Sequence, residues 1–272
     1  MKRNRIIFLL AVPLLMSGTV AAKSDPRLSN ATPANDVRVT YVGNAGFLIR
    51  VGDRKILIDP LPEDAKDALM NARPPFNDVN LILITHNHGD HFDPAMIRPF
   101  LKNSPGSRLI STAQVTGQLA EFGDRIITLA ATKGKRDQTD VDGIRIQAIY
   151  LAHNPVRSGE IEDINFGYLV TVNNIHLFHT GDCAVSQVDM TEPLSPGKRI
   201  DFAFIGHFYF TEDPLRKKFV REWIDGIYAI PSHFKFSSFD TARLKQIKVL
   251  YPDAVLFEKE LQRWDMPASA RK

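Results

Sequence analysis

The chain has 272 residues, of which 44% are hydrophobic, and its 34 basic and 31 acidic side chains give a formal charge of +3. This length has room for the full core of one large domain or of two small ones. The single cysteine, Cys183, excludes an intrachain disulfide, and the nearly balanced charge leaves no electrostatic footprint for nucleic acid, so we expect no nucleic-acid partner.

Residues 1–22 predict a secretory signal peptide. Lys2, Arg3 and Arg5 precede an apolar stretch over residues 6–16, and small residues up to Ala22 supply a cleavage site. The apolar stretch of 11 residues is shorter than a membrane-spanning helix needs. We therefore expect no stable membrane insertion after leader cleavage, with an uncleaved anchor as the alternative, and we expect a periplasmic or secreted mature protein. Its charge would be zero, with 31 basic and 31 acidic residues left.

The rest of the chain predicts a mixed α/β domain over residues 37–272, preceded by a flexible polar lead-in at residues 23–36. Strand patterns occur at residues 37–42, 46–51, 55–58, 81–85, 108–111, 125–129, 144–151, 167–172, 175–178 and 201–205. Helical patterns occur at residues 113–122, 213–224 and 239–250, and Asp93 followed by Pro94 predicts a further helix start.

A weak internal repeat suggests two related halves. Residues 46–51 (GFLIRV) match residues 167–172 (GYLVTV), and each segment is followed by a turn, a second apolar strand and an aspartate, Asp59 or Asp182. The repeat predicts two packed β-sheets flanked by helices, with a site where they meet. Chance similarity of two amphipathic hairpins is the alternative.

The segment HNHGDH places four candidate metal ligands, His86, His88, Asp90 and His91, directly after a predicted buried strand. Imidazole and carboxylate groups bind Zn²⁺ and similar divalent ions. A polar loop that is rich in histidine by chance is the alternative. Further candidates also follow predicted strands, and ligands at strand ends gather on one edge of a sheet; these candidates are His153, Asp182, His207 and His233.

These motifs resemble the metallo-β-lactamase superfamily, in which HxHxDH and later His, Asp and His residues bind two metals between two sheets. The resemblance implies a four-layered αββα sandwich. Carried over by position, it implies a first metal held by His86, His88 and His153, a second held by Asp90, His91 and His233, and a bridge formed by Asp182.

The segments YVGNAGFLIRVGDRKILIDP, THNHGDHFD and IPSHF are most similar to the branch of ascorbate-phosphate lactonases and N-acyl phosphatidylethanolamine phospholipases. True β-lactamases look less similar, because they lack an aspartate at the position of Asp182. Export favours them nonetheless, because antibiotic-degrading relatives are exported too.

The resemblance implies an exported hydrolase in which a hydroxide shared by two divalent metals attacks an ester-like bond, a lactone or a phosphodiester. Zn²⁺ is favoured, and Mn²⁺ or Fe²⁺ would accept the same ligands. We expect Asp90 to be catalytic, orienting the hydroxide or protonating the leaving group. A small-molecule or lipid-like substrate is expected. A periplasmic β-lactamase and a non-catalytic metal-binding or sensing protein are the alternatives.

Outside the ligand set, three residues are candidate substrate contacts. His207 lies among aromatic residues at a strand end, where an ordinary buried histidine is the alternative, and Asn154 and Arg157 follow His153 in a polar loop. Cys183, next to Asp182, is expected to be a buried small hydrophobic residue rather than a ligand or a reactive thiol.

Overall fold

The computed structural model describes residues 36–153, 163–197, 199–234 and 241–267. In chain order the strands are β1 (Val37–Gly43), β2 (Gly46–Val51), β3 (Arg54–Ile58), β4 (Leu81–Leu83), β5 (Arg108–Ser111), β6 (Ile126–Thr128), β7 (Asp137–Val141), β8 (Ile144–Tyr150), β9 (Phe166–Val172), β10 (Ile175–His179), β11 (Ile200–Gly206), β12 (Gly226–Ser232) and β13 (Arg263–Asp265). The helices are α1 (Lys66–Met70), α2 (Pro94–Asn103), α3 (Ala113–Thr116), α4 (Pro214–Lys218) and α5 (Thr241–Leu250).

The strands form two mixed sheets. The first has the order β13-β1-β2-β3-β4-β5-β6, and the second has the order β12-β11-β10-β9-β8-β7. Strands β3 to β6 are parallel neighbours in the first sheet, as are β10, β11 and β12 in the second. The carboxyl ends of these parallel strands meet at one edge of each sheet, where the candidate ligands follow in sequence.

Alternation along the strands divides their side chains between a core that both sheets share and two outer clusters. Phe47 and Ile49 of β2 lie in the shared core with Val170 of β9. Leu48 instead packs with apolar residues of α1 and α2, and Leu169 packs with those around α5. The order of layers is helix, sheet, sheet and helix, which confirms the predicted αββα sandwich.

Of the predicted helices, the one at residues 113–122 is wrong in extent, whereas the one at residues 213–224 is helical over residues 214–224 but changes its helix type. The pattern at residues 113–122 forms only the single turn α3, followed by a 3₁₀ segment, Gly117–Arg125, in which Gly123 has a φ of +60° that interrupts any regular helix. The pattern at residues 213–224 forms α4 and then a wider π-helical turn, Phe219–Ile224. The helix start at Asp93 is confirmed, because its carboxylate accepts a 2.8 Å hydrogen bond from the N–H of Ala95.

Asp36, the last residue of the predicted lead-in, lies directly before β1. Asp36 belongs to the folded domain, because its carboxylate accepts a 2.6 Å hydrogen bond from Arg50 of β2. Strands β7 and β13, which the sequence pattern does not predict, lie at the edges of the two sheets. The other edge strand of the second sheet, β12, is predicted only as a strand before His233, without a residue range. Within the described ranges, no helix has both the length and the apolar character needed to cross a bilayer.

Candidate metal centre

All seven predicted ligands lie at one edge of the sandwich, on loops that follow strands. The HNHGDH loop follows β4, His153 follows β8, Asp182 follows β10, and His233 comes directly after β12. The loops bring the side chains into three overlapping groups in which the candidate ligand atoms lie within 4.8 Å of one another: His86, His88 and His153; Asp90, His91 and His233; and His86, His91 and Asp182. The first two groups match the two ligand sets that the resemblance implies.

Asp182 lies between the two sets. Its Oδ2 atom is 3.1 Å from Nε2 of His153 and 3.6 Å from Nε2 of His233. Burial raises the pKa of Asp182, but the hydrogen bond from His153 and the charges of nearby histidines outweigh burial, so the pKa falls below its usual value. An ionised carboxylate thus occupies the position that a bridging ligand needs.

Two of the histidines fit metal ions because each presents a buried nitrogen atom that makes no hydrogen bond among the described residues, namely Nε2 of His86 and Nε2 of His91. Nε2 of His233 lies 3.4 Å from Oδ2 of Asp90 and 3.6 Å from Oδ2 of Asp182. Burial, followed by the charges of neighbouring histidines, lowers the pKa of His86 far below its ordinary value. The neutral ring therefore offers a lone pair. Leaving such atoms unpaired would cost about 1–3 kcal/mol each, which a divalent ion would offset.

Asp59 orients one histidine of each set, a role that the sequence analysis missed. Its buried carboxylate accepts hydrogen bonds from Nδ1 of His91 at 2.8 Å and from the Thr85 hydroxyl at 2.7 Å. Because that hydroxyl donates to Asp59, it accepts from Nδ1 of His86 at 3.0 Å. Both rings are thereby held as Nδ1–H tautomers with Nε2 free for metal. The internal sequence repeat could have indicated Asp59, because the repeat ends each predicted hairpin with an aspartate, Asp59 in the first half and Asp182 in the second.

Asn44 holds two ligands of the second set, and sequence reasoning missed it as well. Its side-chain Nδ2 donates to the main-chain carbonyl of Asp90 at 2.7 Å. Its main-chain carbonyl accepts a hydrogen bond from the main-chain N–H of His233 at 2.8 Å. Asn44 has a φ of +46°, which asparagine tolerates better than most residues. The hydrogen bond from His233 holds the pKa of Asp90 well below its usual range despite partial burial.

Asn165 and Gly181 position the turn that carries Asp182. The buried Asn165 amide accepts from the N–H of Asp182 at 3.0 Å and donates to the carbonyl of Leu151 at 3.0 Å, two residues before His153. Gly181 has a φ of +56°, and a Cβ atom there would collide with Oδ1 of Asn165. A glycine is therefore required on both counts.

His88 differs from His86 in the nitrogen that it can offer. Its Nε2 lies 2.9 Å from Oδ2 of Asp163, so Nδ1 is the nitrogen that it can still offer to a metal ion. Asp163 and His88 are both partly exposed, with 44% and 36% of their side-chain surfaces accessible. A histidine bound to a carboxylate through one nitrogen is a more basic and better oriented ligand through the other.

We expect Asp163→Ala to weaken zinc binding by about 10- to 100-fold, because the acceptor that orients His88 is lost. Asp163→Asn should lie in between, since an amide oxygen still accepts a hydrogen bond but carries no charge. Competition against a chelating dye measures the affinity, and Asp140→Ala, at an exposed position of the edge strand β7, is the control. Unaltered affinity in both Asp163 variants would contradict the assigned role.

The remaining predicted residues have different outcomes. His207 is half-buried, next to the second set, and its ring stacks on Phe234 with centroids 4.5 Å apart. Asn154 and Arg157 lie outside the described residues, so their predicted substrate contacts stay predictions. Cys183 is buried, with 2% of its surface exposed, as predicted.

Burial raises the pKa of the Cys183 thiol to about 12, so the thiol stays protonated at pH 8. We expect iodoacetamide to modify the folded protein at least about 100-fold more slowly than the denatured protein, because the thiolate is the reactive form. Mass spectrometry over a time course checks this expectation. Rapid alkylation of the folded, metal-loaded protein would show that the thiol is accessible.

Residues 38–206 match the family model described as the β-lactamase superfamily domain. Among curated proteins, the chain is 29% identical to a UPF0173 metal-dependent hydrolase of Thermococcus onnurineus, over 73% of this chain and 84% of that protein. It is 24% identical to one of Aeropyrum pernix, over 86% of this chain and 93% of that protein.

Two solved structures share the fold. Igni18, a metallo hydrolase of the archaeon Ignicoccus hospitalis, superposes with a TM-score of 0.59 at 19% identity, covering 85% of this chain and 99% of that one. The metallo-β-lactamase fold protein YhfI of Bacillus subtilis has a TM-score of 0.58 at 15% identity, covering 85% and 100%.

Proposed function

The chain belongs to the β-lactamase superfamily, and we propose that it is an exported hydrolase that uses two divalent metal ions to attack a lactone or a phosphodiester. Metal-dependent hydrolysis agrees with the names of its curated relatives. The observation that carries the proposal of two ions is the position of Asp182, whose Oδ2 atom lies between His153 of the first set and His233 of the second.

A metal pair bound here would lower the pKa of a shared water, so that hydroxide is available near neutral pH, and would polarise the carbonyl or phosphoryl oxygen under attack. The ligand set suits Zn²⁺, and Mn²⁺ or Fe²⁺ would accept it. His86 and His91 hold their Nε2 lone pairs in place through Asp59 and Thr85, so little reorganisation is needed when metal binds.

Asp90 is the group that we assign to proton transfer. Half of its side-chain surface is exposed, so it faces the mouth of the site, whereas only 15% of the His233 surface is accessible. Its lowered pKa keeps the carboxylate ionised. The ionised carboxylate can orient the attacking water by accepting a hydrogen bond from it, and if it takes up the proton of that water during the reaction it would readily pass the proton on to the leaving oxygen.

A reconstituted assay tests the proposed reaction. The mature protein, loaded with Zn²⁺ or Mn²⁺, is given a bis-aryl phosphodiester, an acyl-homoserine lactone, a chromogenic cephalosporin and a phospholipid. We expect hydrolysis of the lactone or of a phosphodiester. Cleavage of the cephalosporin alone would instead identify a β-lactamase, and two bound metals without any hydrolysis would favour a metal-binding or sensing protein.

Export to the periplasm or the medium is part of the proposal and rests on residues 1–22. The expected partner is a small-molecule or lipid-like substrate, with neither nucleic acid nor stable membrane insertion. N-terminal sequencing of the protein from fractionated cells should find a chain that begins after residue 22, in the periplasmic fraction or the medium. An intact leader on a cytoplasmic protein would contradict export, and tight DNA binding at moderate salt would contradict the expected partner.

A further inference from the structure

A pair of aromatic rings lies beside the second ligand set, on the turn that follows β11. The turn is a short 3₁₀ segment, His207–Tyr209. The centroid of the Phe208 ring is 5.8 Å from that of the His233 ring. The His207 ring stacks on Phe234, with an angle of 17° between the planes. Both Phe208 and His207 are only half-buried, so each presents surface to solvent next to His233.

Two arginines hold this turn through its carbonyl groups. Arg243 of α5 donates to the carbonyls of His207 at 2.5 Å and of Phe210 at 3.1 Å. Arg216 of α4 donates to the carbonyl of Phe208 at 2.9 Å. The guanidinium of Arg243 also donates to Nδ1 of His207 at 3.5 Å and to Gln246. The part of the turn that lies next to the His233 ring is the ring of Phe208, with centroids 5.8 Å apart.

Packing and a hydrogen bond of the same turn hold the Phe208 ring in its position. A Cβ atom on Gly206 would lie 2.5 Å from Cζ of Phe208, so the ring packs directly against the glycine backbone, and any larger residue there would displace it. The hydroxyl of Tyr209, on the same turn, donates to the carbonyl of Cys183, which follows Asp182. The turn is thereby tied to the loop that carries the bridging aspartate, and the ring cannot move far from the ligands without breaking these contacts.

We infer that Phe208 and His207 form one wall of an apolar subsite that takes an acyl or aryl group of the substrate, adjoining the second ligand set. This inference rests on the proposed hydrolase function and narrows it to substrates that place an apolar group within reach of His233. Binding is favoured when an apolar group of the substrate covers this half-exposed aromatic surface, because both surfaces are then removed from water. Each methylene group that the wall covers should tighten binding by about fourfold.

The test compares kcat/KM for acyl-homoserine lactones with acyl chains of four and ten carbons. In parallel, calorimetry measures the affinity of the zinc-loaded protein for the linear carboxylates of the same two lengths. We expect the wild-type protein to favour the longer member of each pair at least about tenfold. Phe208→Ala should lose most of that preference while values for the short member change less than about twofold, and Phe208→Leu should retain most of it. Phe122→Ala is the matched control, because Phe122 is a half-buried phenylalanine in the outer cluster of the first sheet.

Three results would overturn the inference: no dependence on chain length in the wild-type protein, an equal loss for both lengths in Phe208→Ala, or a loss of preference in the Phe122 control. Metal content of each variant is measured beside it, so that a variant that fails to load is recognised. If the wild-type protein hydrolyses no probe, the proposed reaction fails, while the carboxylate titrations still decide whether the subsite exists.

Discussion

Replacing Asp90 by asparagine is expected to lower turnover by about 10²- to 10⁴-fold while leaving metal bound. The amide keeps an oxygen atom that can face a cation, and the main-chain contact to Asn44 does not depend on the side chain. What is lost is the ability to accept and return a proton. The measurement is kcat for the hydrolysed probe together with metal content per chain.

The matched control for this experiment is Asp53→Asn, because Asp53 lies in the exposed turn between β2 and β3 with 83% of its side-chain surface accessible. It should leave both turnover and metal content unchanged. Unchanged turnover in Asp90→Asn would remove the proton-transfer role. Loss of the metal together with the activity would reduce Asp90 to a ligand alone.

The central strands could be predicted because burial on both faces leaves a continuous apolar run or a clean alternation in the sequence. Strand β5 and strand β2 begin and end at the predicted residues. Strands β7 and β13 could not be predicted in the same way. They lie at sheet edges and contain solvent-accessible polar residues such as Asp137 and Arg263. Such strands pair through backbone hydrogen bonds, which any residue type can make, so the amino-acid sequence does not indicate them.

The ligands could be predicted because they are local in sequence or directly follow a strand. His86 to His91 form one short motif, and His233 follows β12 without an intervening residue. The residues that position them depend on contacts between distant segments. Asp163 reaches His88 across 75 residues of sequence, and Asp59 reaches His91 across 32. Since no periodicity or spacing encodes such a contact, only the folded chain reveals it.

His233 is a predicted ligand that the structure supports but the family model does not cover. It lies beyond residues 38–206, the part of the chain that the family model matches. The structure, and not the family model, therefore supports its assignment to the second ligand set. Its backbone has a φ of +65° and is held by the carbonyl of Asn44. This left-handed conformation is uncommon for residues other than glycine, and in it Nε2 of His233 lies 3.4 Å from Oδ2 of Asp90.

Asp182→Ala is expected to leave mainly one metal ion per chain instead of two. The carboxylate supplies negative charge between two ligand sets that consist mostly of histidines, and without it two divalent cations bound there would repel each other with less to offset the repulsion. His153 would also lose its 3.1 Å partner. We expect turnover to fall with the second metal, because both ions are proposed to act on the same water.

Elemental analysis of the reconstituted and desalted protein measures the metal content, and Asp53→Ala is the control at an exposed carboxylate. Asp182→Asn separates charge from ligation, because the amide oxygen can still face a cation while the negative charge is gone. If charge compensation dominates, the asparagine variant should resemble the alanine variant; if ligation dominates, it should retain both metals. Two metals per chain in Asp182→Ala would contradict the bridging role, and with it the observation that carries the proposal of a paired metal site.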